Sequence, residues 1–271
     1  MVDTINKLTP SEQAAKAEQD AKALLQKYDR ESNFREEIGV WAWVVTFLGI
    51  SLTVFHIYTG YYGTFPSQKQ GAVHLGTALG LIFLLFPLKK GQQVFQKTVP
   101  WYDVLLAFLA MYVTYYKIIN FDSLIQSITW GYDQYDTFLS VIGVLLLLEA
   151  TRRTVGVPIV IVAAIMIGYA LFGNYIPTAT LSHQGYDFTD VTTRLWYRDS
   201  GVFGTPLQIS AKYIYLFLFF GVILVNTRIG QFFNDLAFGL TGRFTGGTAK
   251  AAVVASALQG LVSGSSVGNT V

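Results

Sequence analysis

Apolar residues in this chain come in long blocks separated by short polar breaks. Six blocks are long enough, or nearly so, to cross a hydrocarbon slab about 30 Å thick: residues 40–60, 72–88, 101–119, 135–150, 157–176 and 207–226. After the sixth, Ile229, Phe232, Phe233, Leu236, Ala237, Leu240 and Phe244 follow an i, i+3, i+4, i+7 spacing with Gln231, Asn234, Asp235 and Thr241 between them. That pattern predicts an amphipathic helix, too polar to span and suited to the membrane interface. Thr9-Pro10-Ser11-Glu12 has the form of a helix start, with Thr9 as cap and Glu12 completing a capping box. The helix it opens is expected to reach about Tyr28 with a weak apolar stripe. Between the fifth and sixth blocks lies a loop of about thirty residues, 177–206, with a short helix expected near 188–198; such a loop either caps the helix ends or docks an external partner.

The charges fit this layout. Lys and Arg on alternate sides of successive crossings divide fourteen to three: the N-terminal arm, Lys89, Lys90, Lys97, Arg152, Arg153, Arg228, Arg243 and Lys250 on one side, Lys69, Arg194 and Arg198 on the other. Positive charge collects on cytoplasmic loops, so the N-terminus is expected in the cytoplasm. Lys117 and Lys212 are expected at outer helix ends, snorkelling to water. Asp103 and Glu149 fall near inner helix ends, where a structural pairing with a neighbour such as Lys97 or Arg152 is expected over a proton relay. Tryptophan and tyrosine cluster at the predicted interfaces, among them Trp41, Tyr61, Trp101, Tyr115 and Trp130.

Composition agrees: 52% of residues are hydrophobic and 13% charged. The fold class read from these features is an all-α integral membrane protein of about six transmembrane helices. A formal net charge of +2 gives no basis for a nucleic-acid partner. The absence of cysteine excludes thiolate metal sites, catalytic thiols and disulfides. With no apolar core near Met1, the N-terminal arm is not a cleavable signal peptide.

The chemistry concentrates in a seventh apolar stretch, where Ser263-Gly264-Ser265-Ser266-Val267-Gly268-Asn269 follow about 20 Å of helix measured from Lys250. Small, oxygen-bearing residues at membrane depth have two readings. Gly260, Gly264 and Gly268, extended backwards by Ser256 and Ala252, form a ladder for close helix packing. Alternatively, a helix broken there presents backbone carbonyls and the side-chain oxygens of Ser263, Ser265, Ser266 and Asn269 to a dehydrated alkali cation, and a half-helix N-terminus to an anionic group. Gly264-Ser265-Ser266-Val267-Gly268 also matches G-x-S-x-G, but that pattern makes a nucleophile only between a strand and a helix, and no histidine is expected near it. The protein is therefore not expected to be an enzyme, and no covalent cofactor is expected.

Taken together, Gly156-Val157-Pro158, Gly204-Thr205-Pro206-Leu207 and the run from Gly246-Gly247-Thr248-Ala249-Lys250 into Ser263–Asn269 resemble the large membrane subunit of the TRAP transporters, the tripartite ATP-independent periplasmic transporters. The preceding part, with Leu148-Glu149-Ala150-Thr151-Arg152-Arg153, resembles the small four-helix subunit fused ahead of it, as in the TAXI branch. The resemblance implies residues 1–36 as a cytoplasmic arm, 37–153 as a small-subunit-like membrane domain and 154–271 as the start of the transport domain. It further implies a sodium-coupled importer of small organic anions in a bacterial or archaeal cytoplasmic membrane. Substrate would be handed over by a periplasmic binding protein and carried by an elevator motion. In that frame Ser263, Gly264, Ser265, Ser266 and Asn269 belong to the tip of a first re-entrant hairpin and bind sodium or substrate. The remainder of the large permease subunit, with the returning arm and second hairpin, is expected on a continuation beyond Val271.

Overall fold

The computed structural model describes residues 34–35, 37–89, 98–177, 180–227 and 229–263, and every regular element among them is helical. The helix expected over residues 9–28 lies outside them. The chain divides into two compact units between Ile214 and Tyr215.

In the unit that ends at Ile214, helix α1 (Trp41–Tyr62) carries no charged residue and stops at Gly63, whose φ of 109° few side-chain-bearing residues adopt. Helix α2 (Ser67–Leu85) follows Pro66 and ends where Phe86, placed before Pro87, is forced into an extended conformation. Helix α3 (Trp101–Ile119) leads through Asn120 into a short helix, α4 (Phe121–Trp130), closed by Gly131 at φ 95°. Helix α5 (Gln134–Thr154) begins at Asp133, whose carboxylate accepts from the Asp136 backbone N–H at 2.6 Å. Gly156 at φ 120° and Pro158 in the first turn then open α6 (Val157–Phe172). The outer loop forms α7 (Phe188–Tyr197), and Pro206 starts α8 (Thr205–Ile209), which runs into a π-helical segment, Ser210–Ile214.

Among the described residues, five helical stretches are long and apolar enough to cross a membrane: Trp41–Tyr62, Trp101–Ile119, Gln134–Thr154, Val157–Tyr175 and Thr205–Leu224. The block expected at 72–88 is also a helix, but it starts five residues earlier, with a polar first turn. It is the most enclosed of the set: Gln70, His74 and Thr77 are buried along with its apolar residues, and each makes a hydrogen bond to another protein group. α2 and α3 pack through small residues. A Cβ on Gly76 would lie 3.1 Å from Thr114 Cβ, one on Gly80 would lie 2.9 Å from Met111 Sδ, and Ala107, Ala110 and Thr114 are buried opposite. This is the close-approach device of membrane helices, at a place the sequence reading had not assigned it.

One end of this unit is held by buried charge. The Asp103 carboxylate receives Arg35 Nη2 at 2.5 Å and Arg153 Nη1 at 2.7 Å, and all three side chains are fully buried. Arg153 Nε also reaches Glu149 at 2.7 Å, and Glu149 binds Arg152. The guanidiniums then close the end of α2: Arg35 donates to the Leu84 carbonyl, Arg153 to that of Phe86 and Arg152 to that of Leu88. These carbonyls lie at or beyond the last turn of α2, where no intrahelical N–H remains. The expected structural pairing of Glu149 with Arg152 is present, whereas Asp103 is paired by Arg35 and Arg153.

At the opposite end the outer loop is bolted to the helices. Trp196, Tyr197 and Phe203 are at most 2% exposed, and the Trp196 ring occupies the space that a side chain on Gly143 of α5 would take. Tyr197 donates to the Asp136 carbonyl at 3.0 Å, and burial pushes its phenol up, so it stays a protonated donor. Lys117 corrects a sequence expectation. It does not snorkel: it is 1% exposed, donates to the Tyr197 carbonyl at 2.9 Å and sits 3.4 Å from the Phe203 ring centroid. A carbonyl and an aromatic face under the loop replace water.

Two outcomes follow for thermal unfolding of the full chain in detergent. Asp103→Asn removes the carboxylate that the buried Arg35 and Arg153 guanidiniums share and is expected to cost about 3–5 kcal/mol, whereas Glu149→Gln, at a part-exposed pair, costs about 1 kcal/mol or less; equal losses would refute this ordering. Gly143→Ala drives a methyl into the Trp196 ring and costs about 1–3 kcal/mol. An unchanged midpoint would mean that the loop is not seated on α5.

Candidate ion and substrate site

The unit that begins at Tyr215 contains α9 (Tyr215–Asn226), α10 (Ile229–Thr241) and α11 (Gly247–Ser263). α10 is the amphipathic helix the spacing predicts. Ala237 is fully buried, while Phe232, Leu236 and Leu240 keep much of their surface open, as an interfacial helix would.

The glycines after α10 make its connection to α11. Gly246 has φ 71°, and a Cβ on Gly247 would lie 2.7 Å from the carbonyl oxygens of both Thr241 and Gly242. The Thr241 hydroxyl donates to the Ala237 carbonyl at 2.8 Å and to that of Gly247 at 3.2 Å, tying the two helix ends together. The glycine pair of the 246–250 motif is thus spent on a tight turn, and Lys250, over the Phe244 ring at 5.7 Å, sits at its exit.

From that turn α11 runs without a break to Ser263. Ala251 and Ala255 are its buried face, packed with Val254 against Ala237. The ladder of Ala252, Ser256 and Gly260 lies on the adjacent row: Ala252 and Gly260 are exposed and Ser256 is half-buried. Within the described residues the packing duty therefore falls on alanines one position away from the ladder.

Of the predicted site residues, Ser263 is the last residue of α11, while Gly264, Ser265, Ser266 and Asn269 lie outside the described residues. The structure thus supplies the helical arm that leads to the cluster. Among the described residues no three His, Cys, Asp or Glu side chains gather into a group that could hold a metal ion. The histidines are committed to the other unit. His56 Nε2 and His74 Nδ1 are 3.0 Å apart, and His183 sits 3.0 Å from the Tyr169 carbonyl and accepts from the Gly185 N–H.

The outer loop is the second candidate surface. With Trp196 and Tyr197 turned inwards, α7 leaves Phe188, Asp190 and Arg194 facing out, beside Tyr186 and Leu181. Asp190 and Arg194 are 3.8 Å apart and well exposed. The loop is therefore a seated platform with an apolar and charged outer face, a geometry equally suited to capping and to docking.

The family model for the tripartite ATP-independent periplasmic transporter, DctM component, matches residues 142–271, from within α5 through α11 to the predicted cluster. No curated protein and no solved structure matches the chain. Residues 142–271 of this multi-pass membrane protein are thus similar to the DctM component, the permease of the TRAP transporters.

Proposed function

We propose that the chain is a permease component of a sodium-coupled secondary transporter. It would import small organic anions such as carboxylates, keto acids or acidic amino acids across a bacterial or archaeal cytoplasmic membrane. The observation that carries this reading is the DctM match, which includes both the 246–250 turn and Ser263–Asn269. An unbroken helix leading from that turn to Ser263 is the arm a re-entrant hairpin needs. Sodium is the ion that suits the cluster, because serine hydroxyls, an asparagine carbonyl and freed backbone carbonyls are hard oxygen ligands without charge. Residues 37–153 would serve as the small-subunit-like scaffold and 154–271 as the start of the part that moves, elevator fashion. A periplasmic binding protein would deliver the substrate to the outer loop.

The exposure of Ala252 and Gly260 favours a second reading, in which the ladder packs against another membrane segment and the chain acts as a scaffold without its own ion site.

Thermal unfolding of the assembled transporter in sodium against potassium chloride at equal ionic strength separates the two. Sodium at about 100 times its Kd should stabilise by about 2.7 kcal/mol, and Ser266→Ala or Asn269→Ala should abolish most of that shift. Identical midpoints in the two salts over a wide range would remove the ion site and leave the scaffold. Uptake of a radiolabelled carboxylate into proteoliposomes, driven by a sodium gradient and silent in a potassium gradient, tests the coupling itself.

A further inference from the structure

The segment Ser210–Ile214 pairs its backbone i→i+5, between the α-helical turns of α8 and α9. A π turn holds one residue more than the α-helix it interrupts, and in apolar surroundings it persists only where neighbours satisfy the displaced backbone groups. Here three consecutive residues are each held by a side chain from α1 or α2. The Ser210 hydroxyl is 3.2 Å from His74 Nε2. The Ala211 carbonyl accepts from Gln70 Nε2 at 3.0 Å. Lys212 Nζ donates to Ser67 Oγ at 3.1 Å. His56 Nε2 and His74 Nδ1 join at 3.0 Å, so α1 backs the α2 side chains that hold the segment.

His56, Gln70 and Ala211 are at most 1% exposed, so water offers no substitute partners.

We propose that His56, Gln70 and His74 are a register lock: side chains of α1 and α2 hold Ser210–Ile214 in its π register, and without them the segment returns to α-helical pairing. Absorbing the extra residue into α-helical pairing turns one side of the segment about 100° relative to the other, which takes Lys212 off Ser67. The lock joins residues before the DctM match to a crossing inside it.

The test is a cycle of substitutions in the full chain. Deleting Tyr213, which is 69% exposed, removes the extra residue. The deletion should lower the unfolding midpoint of the wild-type chain and produce no further loss in a Gln70→Ala/His74→Ala background. Additive losses overturn the lock. Because the deleted chain can fail to fold, a second measurement uses the natural absence of cysteine. Ala211→Cys should resist a thiol reagent in the otherwise wild-type protein and label about tenfold faster with Gln70→Ala/His74→Ala, while Thr193→Cys, buried in α7, stays protected in both. Joint exposure of both cysteines, or no change at Ala211→Cys, overturns it as well.

Discussion

Asp103 sits fully buried at the start of a membrane helix, and a carboxylate there persists only if its charge is matched within hydrogen-bonding distance. Matching it takes two guanidiniums, one from the chain before α1 and one from the end of α5. Each of them still has donors to place. They go to the carbonyls at the unwound end of α2, which would otherwise face hydrocarbon unpaired. One carboxylate therefore fixes where α2 ends, where α3 begins and how α5 and the lead into α1 meet them. Removing it disturbs four segments at once, and the arginines are the more exposed to loss because their charge cannot be shed.

Between its two ends the unit relies on closeness. Lipid drives membrane helices together weakly, so contact depends on backbones approaching tightly, and Gly76 against Thr114 and Gly80 against Met111 provide that approach. With α2 enclosed by its neighbours, Gln70, His74 and Thr77 can be polar without cost to insertion, because their partners are protein groups: the Ala211 carbonyl, Ser210 and Tyr115. The same enclosure explains why α2 does not read as a simple apolar span. Its composition reflects what surrounds it, and a hydropathy rule assumes that lipid does.

Most of the helices were legible in the sequence, because bilayer length and apolar run are written directly into it. The short α7 and the amphipathic α10 were legible from spacing. What escaped were features set by a distant partner. α4, at Phe121–Trp130, lies at the end of an apolar block and breaks from α3 only at Asn120. The π segment carries no local signal, since its register is held by side chains some 140 residues away. Lys117 had the composition of a snorkelling lysine, and only the fold puts Tyr197 and Phe203 over it. Arg35 was counted as topological charge rather than as the partner of Asp103, a pairing that spans 68 residues. The predicted cluster was legible as chemistry and lies beyond Ser263, outside the described residues.

The two readings of the small residues in α11 need not compete. Successive residues of a helix are turned by about 100°, so a row used for packing leaves its neighbouring row free. In α11 the row of Ala251 and Ala255 meets Ala237, and the row of Ala252, Ser256 and Gly260 is turned away from that contact. The helix is thus already seated without its glycines. A glycine is a poor choice for an exposed helix position on propensity alone. A second close approach would account for its place here, either to another membrane segment or, on the function proposed above, to the returning arm of a hairpin. Both demand the same smooth row, which is why the sequence alone left them open and why the sodium measurement, rather than further packing analysis, is what separates them.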